Sequence, residues 1–137
     1  MPPTVMIVDD SQMVRKQVSR ALVAAGFVVI EAHDGADALG QLSGPVPAPA
    51  LIVLDVNMPN MGGIAFLQAL RGRGQGLSMP PVVMLTTEGD PQLMREAKAL
   101  GAKGWIVKPF KPEMLVAAVQ KLTQTAATTA AATAPKD

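Results

Sequence analysis

The sequence predicts one α/β domain, a doubly wound parallel sheet with helices on both faces. Two observations carry this expectation. Apolar runs of strand length recur five times, and segments of helical periodicity alternate with them. The runs are continuous rather than alternating in and out, as strands are when helices cover both sides of the sheet. A strand–helix unit repeated in this way requires parallel strands joined by right-handed crossovers.

The first strand is predicted over Thr4 to Val8. Ser11 then marks a helix start, Val14, Val18, Ala21, Leu22 and Ala25 form one apolar stripe, and Gly26 suits the helix end. A second strand, Val28 to Ala32, is followed by a helix opening at Asp34. Ser43 to Pro49 holds three prolines and reads as a stiff connector to the third strand, Leu51 to Leu54. A further helix leads into the loop Gly72 to Pro81, whose Gly72-Arg73-Gly74-Gln75-Gly76 resembles a phosphate cradle in composition only. It follows a helix and leads to a strand, the reverse of a P-loop. The fourth strand is Val82 to Leu85, Asp90-Pro91 opens the fourth helix, and the fifth strand is Gly104 to Val107. Pro112 opens the last helix, with Leu115, Ala118, Val119 and Leu122 as its apolar stripe. Beyond Leu122 the chain is Ala/Thr-rich. The expectation is a folded domain over 1–122 and a tail over 123–137, helical for a turn or so and then disordered.

Composition narrows the function. The 137 residues, 49% of them hydrophobic, suffice for one sizeable core. Twelve basic residues against 11 acidic ones, a formal charge of +1, provide no field for gripping nucleic acid or an anionic membrane. No cysteine is present, which excludes disulfides and thiolate metal sites. The chain has no membrane-length apolar run and no visible signal peptide, so a soluble cytoplasmic protein is expected. The nine methionines read as core filler and surface.

The chemistry lies at the strand ends. Four of the five predicted strands end on a charged or hydroxyl residue: Asp9-Asp10, Asp55, Thr86 and Lys108. In an open parallel sheet those ends share one rim, where ligands bind. Two carboxylates 4 Å apart repel by about 4 kcal/mol at an intermediate effective dielectric, so Asp9, Asp10 and Asp55 need positive charge among them. Lys108 supplies one unit. A hard divalent cation such as Mg2+, content with a few carboxylates and several waters, would supply the rest. Asp9-Asp10 alone reads equally as a turn with a helix cap, and a lone strand-end Asp means little; their joint placement is what those readings leave unexplained.

Four segments in order, Val5-Met6-Ile7-Val8-Asp9-Asp10-Ser11, Leu54-Asp55-Val56-Asn57-Met58-Pro59-Asn60-Met61-Gly62-Gly63, Leu85-Thr86-Thr87-Glu88 and Gly104-Trp105-Ile106-Val107-Lys108-Pro109-Phe110, resemble the receiver domain of bacterial two-component response regulators. The likeness spans Thr4 to about Leu122 and is greatest to the stand-alone chemotaxis regulators of the CheY type. It implies the flavodoxin-like strand order 2-1-3-4-5. It further implies that Asp55 accepts a phosphoryl group, that Asp9, Asp10, Asp55 and the Asn57 backbone carbonyl hold Mg2+, with Mn2+ able to substitute, and that Lys108 and the Thr86 hydroxyl contact phosphoryl oxygens. Thr86 and Trp105 would form the switch, and Lys108–Pro109 would be cis. A face including Lys103, Trp105, Lys111 and Glu113 would bind an effector. The implied partners are a sensor histidine kinase as phosphodonor and an effector protein such as a flagellar motor switch component, with no DNA or membrane, on a monomer.

Phosphoryl transfer asks mainly for positioning and charge neutralisation, which such a rim supplies. His33, in a loop after the second strand, is expected to be solvated and chemically uninvolved, so the kinase is a separate protein. Gly62 departs from the Asp common in the family and would loosen its loop. Thr87 is bulkier than the usual Ala or Gly, and would restrict access to the acyl phosphate or crowd Thr86. Asn57 and Glu88 resemble the pair found in members that dephosphorylate quickly, which implies a short-lived phosphoryl state. Other readings of the same chemistry are a phosphate sink, relay member or adaptor and, from a different class, an Asp-nucleophile phosphohydrolase. The last lacks a cap insertion, and a flavin-binding reading is disfavoured because aromatics are scarce, three Phe and one Trp, and Asp residues occupy the first rim loop.

Overall fold

The computed structural model describes residues 3–43, 48–56, 58, 61–73, 80–87 and 91–130, with the backbone alone for Arg73 and 124–130. Strands and helices alternate: β1 (Thr4–Val8), α1 (Gln12–Ala24), β2 (Val28–Ala32), α2 (Gly35–Leu42), β3 (Leu51–Asp55), α3 (Gly63–Arg73), β4 (Val82–Thr86), α4 (Pro91–Ala99), β5 (Ala102–Val107) and α5 (Pro112–Ala130). All strand pairings are parallel, in the order β2-β1-β3-β4-β5. This is the predicted doubly wound sheet.

The continuous apolar runs turn out to serve two cores. Met6, Val8, Ile52, Leu54, Val82 and Met84 point to one face, where Phe66, Leu67 and Leu70 of α3, Ala38 of α2 and Ala97 of α4 cover them. Their neighbours Val5, Ile7, Leu51, Val53, Val83 and Leu85 point to the other, under Val18 and Leu22 of α1 and Leu115 and Val119 of α5. Successive strand residues face opposite sides, so burial on both faces leaves the central strands β3 and β4 apolar up to their last residues, Asp55 and Thr86.

Helix ends follow their cap residues. The Ser11 hydroxyl accepts from Val14 N–H at 3.2 Å, and an Asp34 carboxylate oxygen accepts from Asp37 N–H at 2.8 Å. Gly26, at φ 97°, closes α1, and Gly101, at φ 105°, performs the same service after α4. Pro91 and Pro112 occupy first helical positions, where a missing N–H costs nothing. Asp90 and most of the Gly72 to Pro81 loop lie outside the described residues, as do 44–47 of the predicted connector. Lys108–Pro109 is cis. No helix among the described residues is long and apolar enough to cross a membrane.

Two boundaries differ from expectation. β5 begins at Ala102 rather than Gly104, because the ladder slips between Val82 and Val83: Val82 pairs with Ala102 and Val83 with Gly104, leaving Lys103 as the extra residue of a bulge. The last helix continues to Ala130, about two turns past Leu122. The boundary expected at 122/123 therefore falls within a continuous helix, and at least the first part of the tail is helical, in keeping with the high helix propensity of alanine.

The turn into α3 is tight. A Cβ on Gly63 would come 2.7 Å from the Asp55 carbonyl oxygen and 2.9 Å from Val56 Cα, whereas one on Gly62 would meet only the Val56 oxygen at an ordinary 3.5 Å. Gly62 also lies outside the left-handed region, so its backbone is one that any residue adopts. Gly63→Ala is expected to lower stability by about 2 kcal/mol through overpacking against backbone, while Gly62→Asp changes it by less than about 0.5 kcal/mol. Urea unfolding midpoints of the two variants check the contrast.

Candidate functional site

Side-chain alternation assembles the charged groups at the carboxyl rim of the sheet. Ile7, Val53 and Ile106 belong to the core under α1 and α5, and Asp9, Asp55 and Lys108 stand two residues beyond them, on the same side. Their meeting is direct: Lys108 Nζ donates to Asp55 Oδ1 at 3.2 Å and lies 3.2 Å from Asp9 Oδ2. Asp9 is fully buried and Asp55 is nearly so, whereas Asp10 is exposed. Carboxylate oxygens of all three lie within 4.8 Å of one another.

The backbone holds this geometry. Asp9 N–H donates to the Ala32 carbonyl, carrying the β1–β2 ladder one step beyond the strand, and Val56 N–H does the same to Leu85. Asp9 Oδ1 accepts from Ser11 N–H at 2.9 Å. Lys108 N–H donates to the Thr86 carbonyl at 2.6 Å, which ties the start of the β5–α5 loop to the end of β4.

Three carboxylates face one ammonium, so the rim carries excess negative charge. Burial by itself lowers the pKa of Lys108, but the pull of Asp9 and Asp55 and their contacts outweigh it and hold the ammonium above its ordinary value. Lys108 is therefore a fixed cation at neutral pH. Asp9 Oδ2 is buried, and its approach to Lys108 is an ion pair without a directed hydrogen bond. A buried, under-bonded carboxylate oxygen beside two further carboxylates is a hard-oxygen donor set, and it fits a small divalent cation such as Mg2+.

Thr86 stands on the other side of the sheet. It follows Met84 by two residues, is buried, and pairs in register with Val107, while Met84 pairs with Trp105. Trp105 packs against the core under α2, α3 and α4, so Thr86 and Trp105 are diagonal neighbours on one face. The indole Nε1 is buried and has no hydrogen-bond partner among the described residues. Thr87 points away from Thr86, exposed, and lines a groove with Val14, Gln17 and Ala21 of α1 and Phe110, so it does not crowd the neighbouring hydroxyl.

His33 is exposed, and its ring nitrogens lie 3.5 Å from Asp34 and 3.6 Å from Asp37. Asn57 and Glu88 lie outside the described residues. The sequence reading missed Arg15, whose Nη1 donates to the Asp9 carbonyl at 2.7 Å while its Nε donates to Glu31 at 3.0 Å. A basic residue beside another, Lys16, at the start of a helix carries no signal of such a contact.

Lys108→Met leaves buried carboxylates uncompensated, and in metal-free buffer it is expected to cost about 3 kcal/mol of stability at pH 7; adding Mg2+ should recover part of the loss. The raised pKa on folding makes the lysine's contribution complete below about 10.4, the unfolded value, and lost as pH rises through the folded one. The stability gap between wild type and variant should therefore hold steady from neutral pH to about 10 and narrow above it, as urea titrations at stepped pH would show.

Residues 5–120 match the response regulator receiver domain. The chain is similar to the chemotaxis protein CheY of Treponema pallidum, 35% identical over 110 residues that make up 80% of this chain and 74% of that one. It is equally similar to the phosphate regulon transcriptional regulatory protein PhoB of Escherichia coli, 35% over 116 residues, 85% of this chain but 49% of PhoB. It thus spans about half the length of that relative. The structure of chemotaxis protein CheY4 of Vibrio cholerae superposes with a TM-score of 0.81 at 42% identity, over 89% of this chain and 99% of CheY4. A likeness of this extent, carried in sequence and in backbone alike, makes the chain a member of the response regulator receiver domain family.

Proposed function

We propose that this chain is a CheY-like single-domain response regulator that takes a phosphoryl group on Asp55 from a histidine kinase and thereby switches an effector-binding face. Receiver domains are signalling phosphoacceptors as a family, and they bind Mg2+ through acidic residues. The observation that carries the assignment to Asp55 is its position beside Lys108 Nζ, shared at 3.2 Å with Asp9 at the centre of the carboxylate cluster.

In this reading Asp9, Asp10 and Asp55, with the Asn57 carbonyl that the family resemblance implies, would hold Mg2+, and the ion would supply charge neutralisation between carboxylate and phosphate. An Asp55 oxygen attacks phosphorus in line as the bond to the donor imidazole nitrogen breaks. Lys108 remains protonated and exchanges part of its contact with Asp55 for a phosphoryl oxygen. Thr86 donates its hydroxyl to another oxygen. Asn57 and Glu88 set the lifetime, so the acyl phosphate is short-lived; persistence for hours in a phosphate-release assay would contradict that.

The switch has physical support in the shared face of Thr86 and Trp105. A phosphoryl group brings about −1.5 to −2 charges and draws the Thr86 hydroxyl toward the rim, opening space beside the indole. An unpaired buried N–H costs about 1–3 kcal/mol, and the Trp105 indole N–H has no partner among the described residues, so a turn of the ring that brings this N–H to a partner or to water would recover that cost. Beside it, a groove of about 300 Å³ runs along α4 and β5, lined by Arg95, Lys98 and Lys103 around Met94 and Trp105. Cations round an apolar floor suit an acidic, amphipathic effector segment. Similarity to two chemotaxis proteins supports a flagellar switch component as that effector, with the protein acting as a cytoplasmic monomer. The equal similarity to PhoB favours a second reading, a phosphorelay or phosphate-sink role on the same chemistry.

Incubation with a small acyl phosphate and Mg2+ should label the protein, and mass spectrometry should find the label on Asp55. Asp55→Asn or chelation should abolish labelling, and a label elsewhere would sink the assignment. Trp105 fluorescence should change on labelling, and Thr86→Ala should reduce that change severalfold while Asp55 is still labelled.

A further inference from the structure

Nearly every polar group of Asp9 is already engaged. Its N–H donates to the Ala32 carbonyl at 3.1 Å, its Oδ1 accepts from Ser11 N–H at 2.9 Å, and its carbonyl accepts from Arg15 Nη1 at 2.7 Å. Oδ2 alone lacks a hydrogen bond, and it faces Lys108. The Asp9 carbonyl lies in the same planar unit as the N–H and Cα of Asp10. Whatever holds that carbonyl therefore sets the direction in which the exposed Asp10 leaves the strand end.

Arg15 is itself held. Its side chain is mostly buried, its Nε donates to Glu31 Oε1 at 3.0 Å, and the other Glu31 oxygen accepts from the Ser19 hydroxyl at 3.3 Å. Glu31 belongs to the edge strand β2, and Arg15 and Ser19 are one turn apart on α1. The pairing does two things. It aims the guanidinium at the Asp9 carbonyl, and it offsets a positive charge that would otherwise repel a cation at the rim.

We propose that Arg15 is a positioning residue for the divalent-metal site, holding the Asp9–Asp10 peptide so that the Asp10 carboxylate is presented to the cluster, with Glu31 orienting the guanidinium. The proposal rests on the reading of Asp9, Asp10 and Asp55 as a Mg2+ site. Partners that orient metal ligands from outside typically matter 10–100-fold in affinity. A purely electrostatic role would act in the opposite sense, since deleting a nearby cation favours Mg2+.

The test is calorimetric titration of Mg2+ into the full chain, with metal-free urea unfolding measured alongside. Arg15→Met is expected to weaken Mg2+ binding about tenfold; unchanged or tighter binding overturns the proposal. Should that variant fail to fold, Glu31→Gln decides. In about 1 M salt, where the Debye length is about 3 Å, its lost charge is screened, so severalfold weaker binding supports the orienting role and wild-type affinity overturns it. A wild-type protein that takes up no Mg2+ overturns the metal reading and this inference with it, an outcome distinct from normal Mg2+ binding in all variants.

Discussion

One lysine ammonium, held between two buried carboxylates, makes the rim of this sheet possible. Asp9 and Asp55 come from adjacent strands that are parallel and in register, so their side chains meet wherever the strands end. Without a cation between them, folding would bring like charges together where little water reaches. Lys108 removes only part of that cost, because Asp10 adds a third carboxylate to the same cluster. The remaining deficit is one that a divalent ion would make good. An apolar replacement would have been at least as stable as a buried ion pair.

The two-faced sheet divides the labour. Asp9, Asp55 and Lys108 emerge on the side of α1 and α5, and Thr86 and Trp105 on the side of α3 and α4. In the proposed switch, a change in charge at the rim would be sensed on one face and take its mechanical effect on the other, with the end of β4 between them. The tight hydrogen bond from Lys108 N–H to the Thr86 carbonyl joins the two sides through the backbone. Helix α1 adds support from outside, where Arg15 bridges the Asp9 carbonyl to Glu31 on the edge strand.

Much of this was legible in the residues. The strand cores declared themselves as apolar runs, Ser11, Asp34, Gly26 and Pro112 marked helix ends by their own local chemistry, and the charged strand ends located the rim. The parts that were not legible share a cause. Ala102 and Lys103 have poor strand propensity, and only the ladder with β4 recruits them. Gly101 closes α4 as Gly26 closes α1, yet no apolar stripe had announced that helix. Gly63 looks like any loop glycine until Asp55 and Val56 are seen against it. Arg15 sits 16 residues from Glu31, a separation that no local pattern encodes.

By itself, then, the sequence determined the fold class, the number and order of the strands and helices, and which residues would stand at the strand ends, because all of these follow from periodicity and local backbone preference. The tertiary structure alone decided which of those residues share a face, how closely Lys108 divides itself between Asp9 and Asp55, and which outside groups hold the Asp9–Asp10 peptide in place. Those are contacts across the sheet and between distant segments, and their geometry comes into being only when the strands pair in register and the helices close over both faces.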